Sequence, residues 1–213
     1  MTTARQILAQ APVVPVLSIA RETDAVPLAR ALVDGGLPVL EVTLRTPVAF
    51  EAIRAIREEV PDAIVGAGTV LSRDDYQRAV DAGSRFIVSP GSTPDLFRAA
   101  AELPVPLIPG VATASELMLA LASGFNCLKF FPAAIAGGPA AIKALSGPFP
   151  DVSFCPTGGV TIDNMADYFA LPAVLTVGGT WLTPAALLDI GDWDAVRQLA
   201  TEASDRVRRL RGD

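Results

Sequence analysis

The chain has 213 residues, of which 51% are hydrophobic, and a formal net charge of −6. This length fits one large domain over residues 1–213, and the hydrophobic content suits a parallel sheet buried on both faces. The acidic balance argues against broad nucleic-acid binding, which needs a basic patch, and no apolar run is long and clean enough for a membrane span.

In chain order, the start MTTARQILAQA reads as a short amphipathic helix with Ile7 and Leu8 on its apolar side. It lacks the basic-then-apolar order of a secretory signal, so the expected location is the cytoplasm. Eight apolar runs then read as strands: 13–19, 38–44, 63–70, 85–90, 105–110, 127–131, 152–159 and 173–179. Helical periodicity fills the gaps at 23–35, 47–59, 72–82, 93–102, 113–123, 138–146 and 161–170, with a last helix near 192–210. Thr23, Ser72 and Thr113 stand where N-caps belong, and Gly35, Gly83 and Gly124 where helices end. The strand–helix rhythm repeats without a linker, which predicts one closed (β/α)8 TIM barrel behind the short N-terminal helix. The rival, an open doubly wound sheet for a dinucleotide, would want a glycine fingerprint in its first turn, and SIARETD has none.

The residue inventory narrows the chemistry. There is no histidine, so catalysis must use carboxylate, lysine, tyrosine or water. Cys127 and Cys155 lack the close spacing of a zinc site and read as reduced core residues. Arg206, Arg208, Arg209 and Arg211 read as a solvated helix face. Only two lysines occur, Lys129 and Lys143. Lys143 falls on a helix and reads as exposed, but Lys129 lies inside the apolar strand CLKFF, where a lysine rarely belongs unless paired or functional. Burial disfavours an ammonium ion, so such a lysine can act as a neutral amine that attacks a ketone carbon. The alternative is a structural ion pair.

In VLEVTLRT, period two puts Glu41, Thr43 and Arg45 on one strand face. Glu41 then points inward and needs a partner, for which Lys129 is the candidate. Arg45, at the strand end, can fork a carboxylate. In VGAGTV, Gly66 and Gly68 allow close approach and Thr69 offers a hydroxyl. PTGGV and VGGT end the last two strands, with Thr161 and Thr183–Pro184 as helix starts beside them. Glycine loops in that position commonly cradle phosphate. An amine, a carboxylate, an arginine and a phosphate cradle suit a 2-keto acid phosphorylated at its far end.

These stretches, with VGAGTVL, SPG, LIPGVAT, KFFPA, GPFPDVSFCPTGG and VGGTWL, resemble the class I 2-keto-3-deoxy-6-phosphogluconate aldolase family over about residues 12–195. The family also holds 4-hydroxy-2-oxoglutarate and phosphogalactonate aldolases. The resemblance implies Lys129 as Schiff-base lysine and Glu41 as general acid–base. It implies Arg45 and Thr69 at the pyruvate carboxylate, and Pro90 and Phe131 as pocket lining. Thr157, Gly158, Gly159, Gly178, Gly179 and Thr180 fall at the phosphate end; Thr180 stands where serine is common and keeps the hydroxyl. It further implies pyruvate and glyceraldehyde 3-phosphate as products, no metal or cofactor, and a homotrimer. A phosphate-binding barrel without catalysis, or an isomerase using Glu41 as base and Lys129 as a non-covalent electrophile, would share parts of this pattern.

Overall fold

The computed structural model describes residues 3–212. Among them, α1 (Ala4–Leu8) precedes β1 (Val13–Leu17), α2 (Ala25–Asp34), β2 (Val39–Thr43), α3 (Ala49–Glu59), β3 (Ile64–Gly68) and α4 (Arg73–Asp81). There follow β4 (Ile87–Val88), α5 (Pro94–Glu102), β5 (Leu107–Ile108), β6 (Gly110–Val111), α6 (Ala114–Ala122), β7 (Cys127–Phe130) and α7 (Gly138–Ser146). The chain ends with β8 (Ser153–Pro156), α8 (Met165–Phe169), β9 (Val177–Gly179), α9 (Ala185–Ile190) and α10 (Trp193–Arg211). No helix among the described residues is long and apolar enough to cross a membrane.

The sheet corrects the expectation of one closed eight-stranded TIM barrel. The strands form a six-stranded sheet, β5-β4-β3-β2-β1-β9, and a separate three-stranded sheet, β6-β7-β8. Every ladder is parallel. The first break has a covalent cause. The run expected as one strand over 105–110 serves two sheets: Leu107 and Ile108 pair with β4, while Gly110 and Val111 pair with β7. Pro109 stands between them and has no N–H to continue the ladder, though its carbonyl accepts the Lys129 N–H at 3.0 Å. At the other break, only the isolated bridges Phe154–Val174 and Thr157–Gly178 join the β8 and β9 regions.

Strand alternation separates two cores. Leu40, Val42, Val65, Ala67, Leu128 and Phe130 face the helices in the larger cluster. From the opposite face, Val14, Val39, Phe86, Val88, Ile108, Cys127 and Cys155 form a second cluster, onto which Ile7 and Leu8 of α1 pack. The N-terminal helix therefore builds an apolar floor beneath the strands. Its capping box, Thr3 with Gln6, satisfies its first N–H groups.

Helix ends follow the local chemistry read from sequence. Ser72 Oγ accepts the Asp75 N–H at 3.0 Å, and Thr113 with Glu116 forms a full capping box. Two expectations fail. Thr23 lies in a 3-10 turn and caps nothing, and the helix expected over 161–170 shrinks to α8. There Thr161 N–H bonds Asn164 Oδ1 at 2.8 Å, a local turn that competes with helix. The helix α9 begins directly after Pro184, at the helix start expected for Thr183–Pro184.

Candidate active site

Lys129 and Glu41 meet across the interior. Lys129 sits on β7 and Glu41 on β2, and Nζ donates to Glu41 Oε1 at 2.9 Å. Their side chains are 7% and 4% exposed. Every other ion pair among the described residues has at least one partner half exposed or more, so this pair alone is out of water. An unpaired charge at this depth would be costly, and each group supplies the other's partner. In register, Lys129 lies between Gly110 on β6 and Cys155 on β8, two small neighbours that leave its amine room. Its Nζ is 5.3 Å from the Phe131 ring centroid.

The surrounding strand ends place the other expected residues. Arg45 follows β2, is exposed, and donates from Nε to Thr69 Oγ1 at 3.2 Å. It makes no bond to Glu41 among the described residues. Thr69 has φ +60°, uncommon for a β-branched residue and worth about 1–3 kcal/mol of strain. Flanking bonds hold it there: Leu44 N–H to Gly68 O at 2.9 Å and Val70 N–H to Val88 O at 3.2 Å. Pro90 lies at the end of β4, its carbonyl against Gly110, where a Cβ would come within 2.3 Å of it.

The two glycine loops are neighbours, because Thr157 bridges to Gly178. Thr157 is buried, and a Cβ on Gly178 would lie 2.3 Å from its Oγ1. Gly158 and Gly159 have φ +96° and +80°, a region that only glycine enters freely. The N–H groups of Gly158, Gly159 and Thr180 donate to no protein acceptor among the described residues, and exposed N–H groups in such turns form anion-binding concavities. Gly179 serves packing instead, since its missing side chain makes space for the Trp181 ring. The expected helix start at Thr161 does not reach this loop, so the donors are loop amides.

Several residues singled out by pattern gain partners here that pattern alone does not name. Thr43 Oγ1 donates to Leu17 O at 2.8 Å and lies 3.0 Å from Ser18 Oγ, tying β2 to β1 beside Glu41. Gly66 and Gly68 lie within β3 rather than in a turn, where a Cβ would strike Phe86 and Glu41 respectively. The period-two pattern carried a signal for the second of these, but not which neighbour leans over the strand. Cys127 and Cys155 are free and buried. Burial pushes their thiols up to about 11 and about 12; nearby Arg5 opposes this at Cys127, and the Lys129 ammonium opposes it at Cys155. Lys143 is exposed, as expected.

The model of the KDPG and KHG aldolase family matches residues 4–199. The chain belongs to this family. It is 53% identical over 202 residues to the 2-dehydro-3-deoxy-phosphogluconate aldolase of Pseudomonas aeruginosa, covering 95% of this chain and 92% of that one. The KDPG aldolase of Legionella pneumophila, solved with pyruvate captured as a covalent carbinolamine intermediate, superposes with a TM-score of 0.91 at 47% identity. That match covers 92% of this chain and 96% of the other. The 2-keto-3-deoxy-6-phosphogluconate aldolase of Zymomonas mobilis, solved with 3-phosphoglycerate, gives a TM-score of 0.88 at 49% identity over 93% of each chain. The chain is thus a class I aldolase, a lyase.

Proposed function

We propose that this aldolase cleaves 2-dehydro-3-deoxy-6-phosphogluconate to pyruvate and glyceraldehyde 3-phosphate, with Lys129 as nucleophile and Glu41 as acid–base group. The observation that carries the assignment of roles is the buried Lys129–Glu41 contact of 2.9 Å, the one ion pair withdrawn from water among the described residues. Proton transfer along that hydrogen bond yields a neutral amine and a carboxylic acid. The amine adds to the C2 ketone, and Glu41 gives its proton to the carbinolamine hydroxyl, which leaves as water to form a protonated imine. Glu41, again a carboxylate, removes the C4 hydroxyl proton as the C3–C4 bond breaks. The bonding pair moves into the imine to form an enamine, and the aldehyde leaves. Glu41 returns its proton to C3, and water hydrolyses the imine to free pyruvate and the amine. The iminium is the electron sink, so the sequence of steps calls for no metal or cofactor.

Arg45 and Thr69 stand where the pyruvate carboxylate would be held. Thr157, Gly158, Gly159, Gly178 and Thr180 surround the phosphate end, with Pro90 and Phe131 along the pocket wall. Borohydride added with pyruvate should leave a mass adduct on the Lys129 peptide. An adduct on Lys143, or none, sinks the nucleophile assignment. Glu41→Gln should slow turnover by roughly 10²–10⁴, the usual worth of a general acid–base group, while an adduct still forms. Turnover on the C4 epimers separates this substrate from its phosphogalactonate counterpart.

The enzyme works as a cytoplasmic homotrimer without nucleic-acid or membrane partners. Exposed apolar side chains such as Ile135 (88%) and Met118 (62%) are suited to subunit contacts. Native mass spectrometry should return three copies of the 22.2 kDa chain.

A further inference from the structure

We infer that Gly68 is a positioning residue for the reaction: its missing side chain is the seat against which the Glu41 carboxylate is held over Lys129. The inference rests on the acid–base reading of Glu41 given above. A Cβ built on Gly68 would lie 2.2 Å from Glu41 Oε1, 2.6 Å from Cγ and 2.7 Å from Cδ. Three atoms along the side chain are involved, so rotating the carboxylate about its last bond does not relieve the contact. The whole side chain has to swing away from β3. Reaching ordinary contact near 3.4 Å from 2.2 Å moves the carboxylate tip by about 1 Å.

The register explains why the seat is at 68. Glu41 pairs with Gly66 across the β2–β3 ladder, and Thr43 pairs with Gly68. Strand side chains lean along the strand, and Glu41 leans forward over the next inward position of β3. The two glycines therefore have different jobs. A Cβ on Gly66 would meet the Phe86 ring at 2.6 Å, a contact with the apolar floor. Gly68 alone faces the carboxylate. Among the described residues the Glu41 carboxylate has one hydrogen bond, to Lys129. When Lys129 becomes an imine, that tether changes chemically. The β3 backbone then remains as the fixed surface that sets how far Glu41 stands from C3 and C4 of the substrate.

A misplacement near 1 Å costs about 10²-fold in rate. Gly68→Ala should therefore lower kcat by about two orders of magnitude, with KM changed much less, while borohydride still traps pyruvate on Lys129. The deciding measurement repeats Gly68→Ala in an Glu41→Ala background, where the clashing atoms are gone. There the substitution should change residual turnover and urea midpoint by no more than measurement error. A Gly68→Ala enzyme with wild-type kcat overturns the inference. So does a cost that persists undiminished without the Glu41 side chain. Should Gly68→Ala alone not fold, comparing Glu41→Ala with the double variant makes the same decision through stability. Glu41→Gln, run alongside, keeps the two ideas apart. If it turns over at the wild-type rate, the acid–base reading fails; if it is slow while Gly68→Ala is fast, only the Gly68 assignment fails.

Discussion

Replacing Lys129 with methionine tests whether the nucleophile is also a structural partner. The substitution keeps much of the side-chain volume and removes the charge, leaving Glu41 with a 4% exposed side chain and no hydrogen-bond partner found among the described residues. Breaking a buried pair from one side costs about 3–5 kcal/mol, because the remaining charge stays uncompensated. The lost ammonium–Phe131 contact at 5.3 Å adds about 0.5–2 kcal/mol. At about 2–4 °C per kcal/mol for a domain of this size, the combined loss should lower the melting temperature by roughly 7–28 °C. Urea denaturation and calorimetry at pH 7.5 read the loss directly. The double variant Lys129→Met, Glu41→Gln removes both charges and should recover a large part of it, although neither variant is active. If Lys129→Met is as stable as the parent, Glu41 is not buried against it and the central contact of the site is misdescribed. If both variants lose equally, the cost comes from packing and not from an orphaned carboxylate.

Gly159→Ala should raise KM for the phosphorylated substrate about tenfold or more while leaving pyruvate trapping intact, because φ +80° strains an L-residue by about 1–2 kcal/mol and the new Cβ would meet Ala134 Cβ at 2.4 Å. Equal KM in steady-state kinetics would remove this loop from the phosphate end. The two thiols, pushed up to about 11 and about 12 by burial, should resist alkylation at pH 8 until the chain unfolds. Their folded values lie above the unfolded value near 9, so they favour the folded state below pH 9. That contribution is lost as pH rises through the folded values, by up to about 1.4 kcal/mol per pH unit for each thiol. A urea midpoint that is flat or rises between pH 9 and 11 in the wild type, with no difference from Cys127→Ala, Cys155→Ala, contradicts that sign.

Much of this protein is determined locally and is legible as sequence. The alternation of Leu40, Glu41, Val42 and Thr43 decides which face of β2 is inward, because side-chain direction in a strand has period two. A lysine among Leu128, Phe130 and Phe131 announces itself by composition, since burying an ammonium is costly without a reason. Caps at Ser72 and Thr113 are decided within four residues. The closed barrel was not decided that way. Whether strands join into one sheet depends on ladders between distant segments, and Pro109 splits one expected strand between two sheets by the absence of a single N–H. Only the tertiary structure brought Lys129 to 2.9 Å from Glu41 across 88 residues of chain, seated that carboxylate over Gly68, and set Thr157 against Gly178. Those are distances between strands, and a sequence specifies them only through the packing of the whole fold.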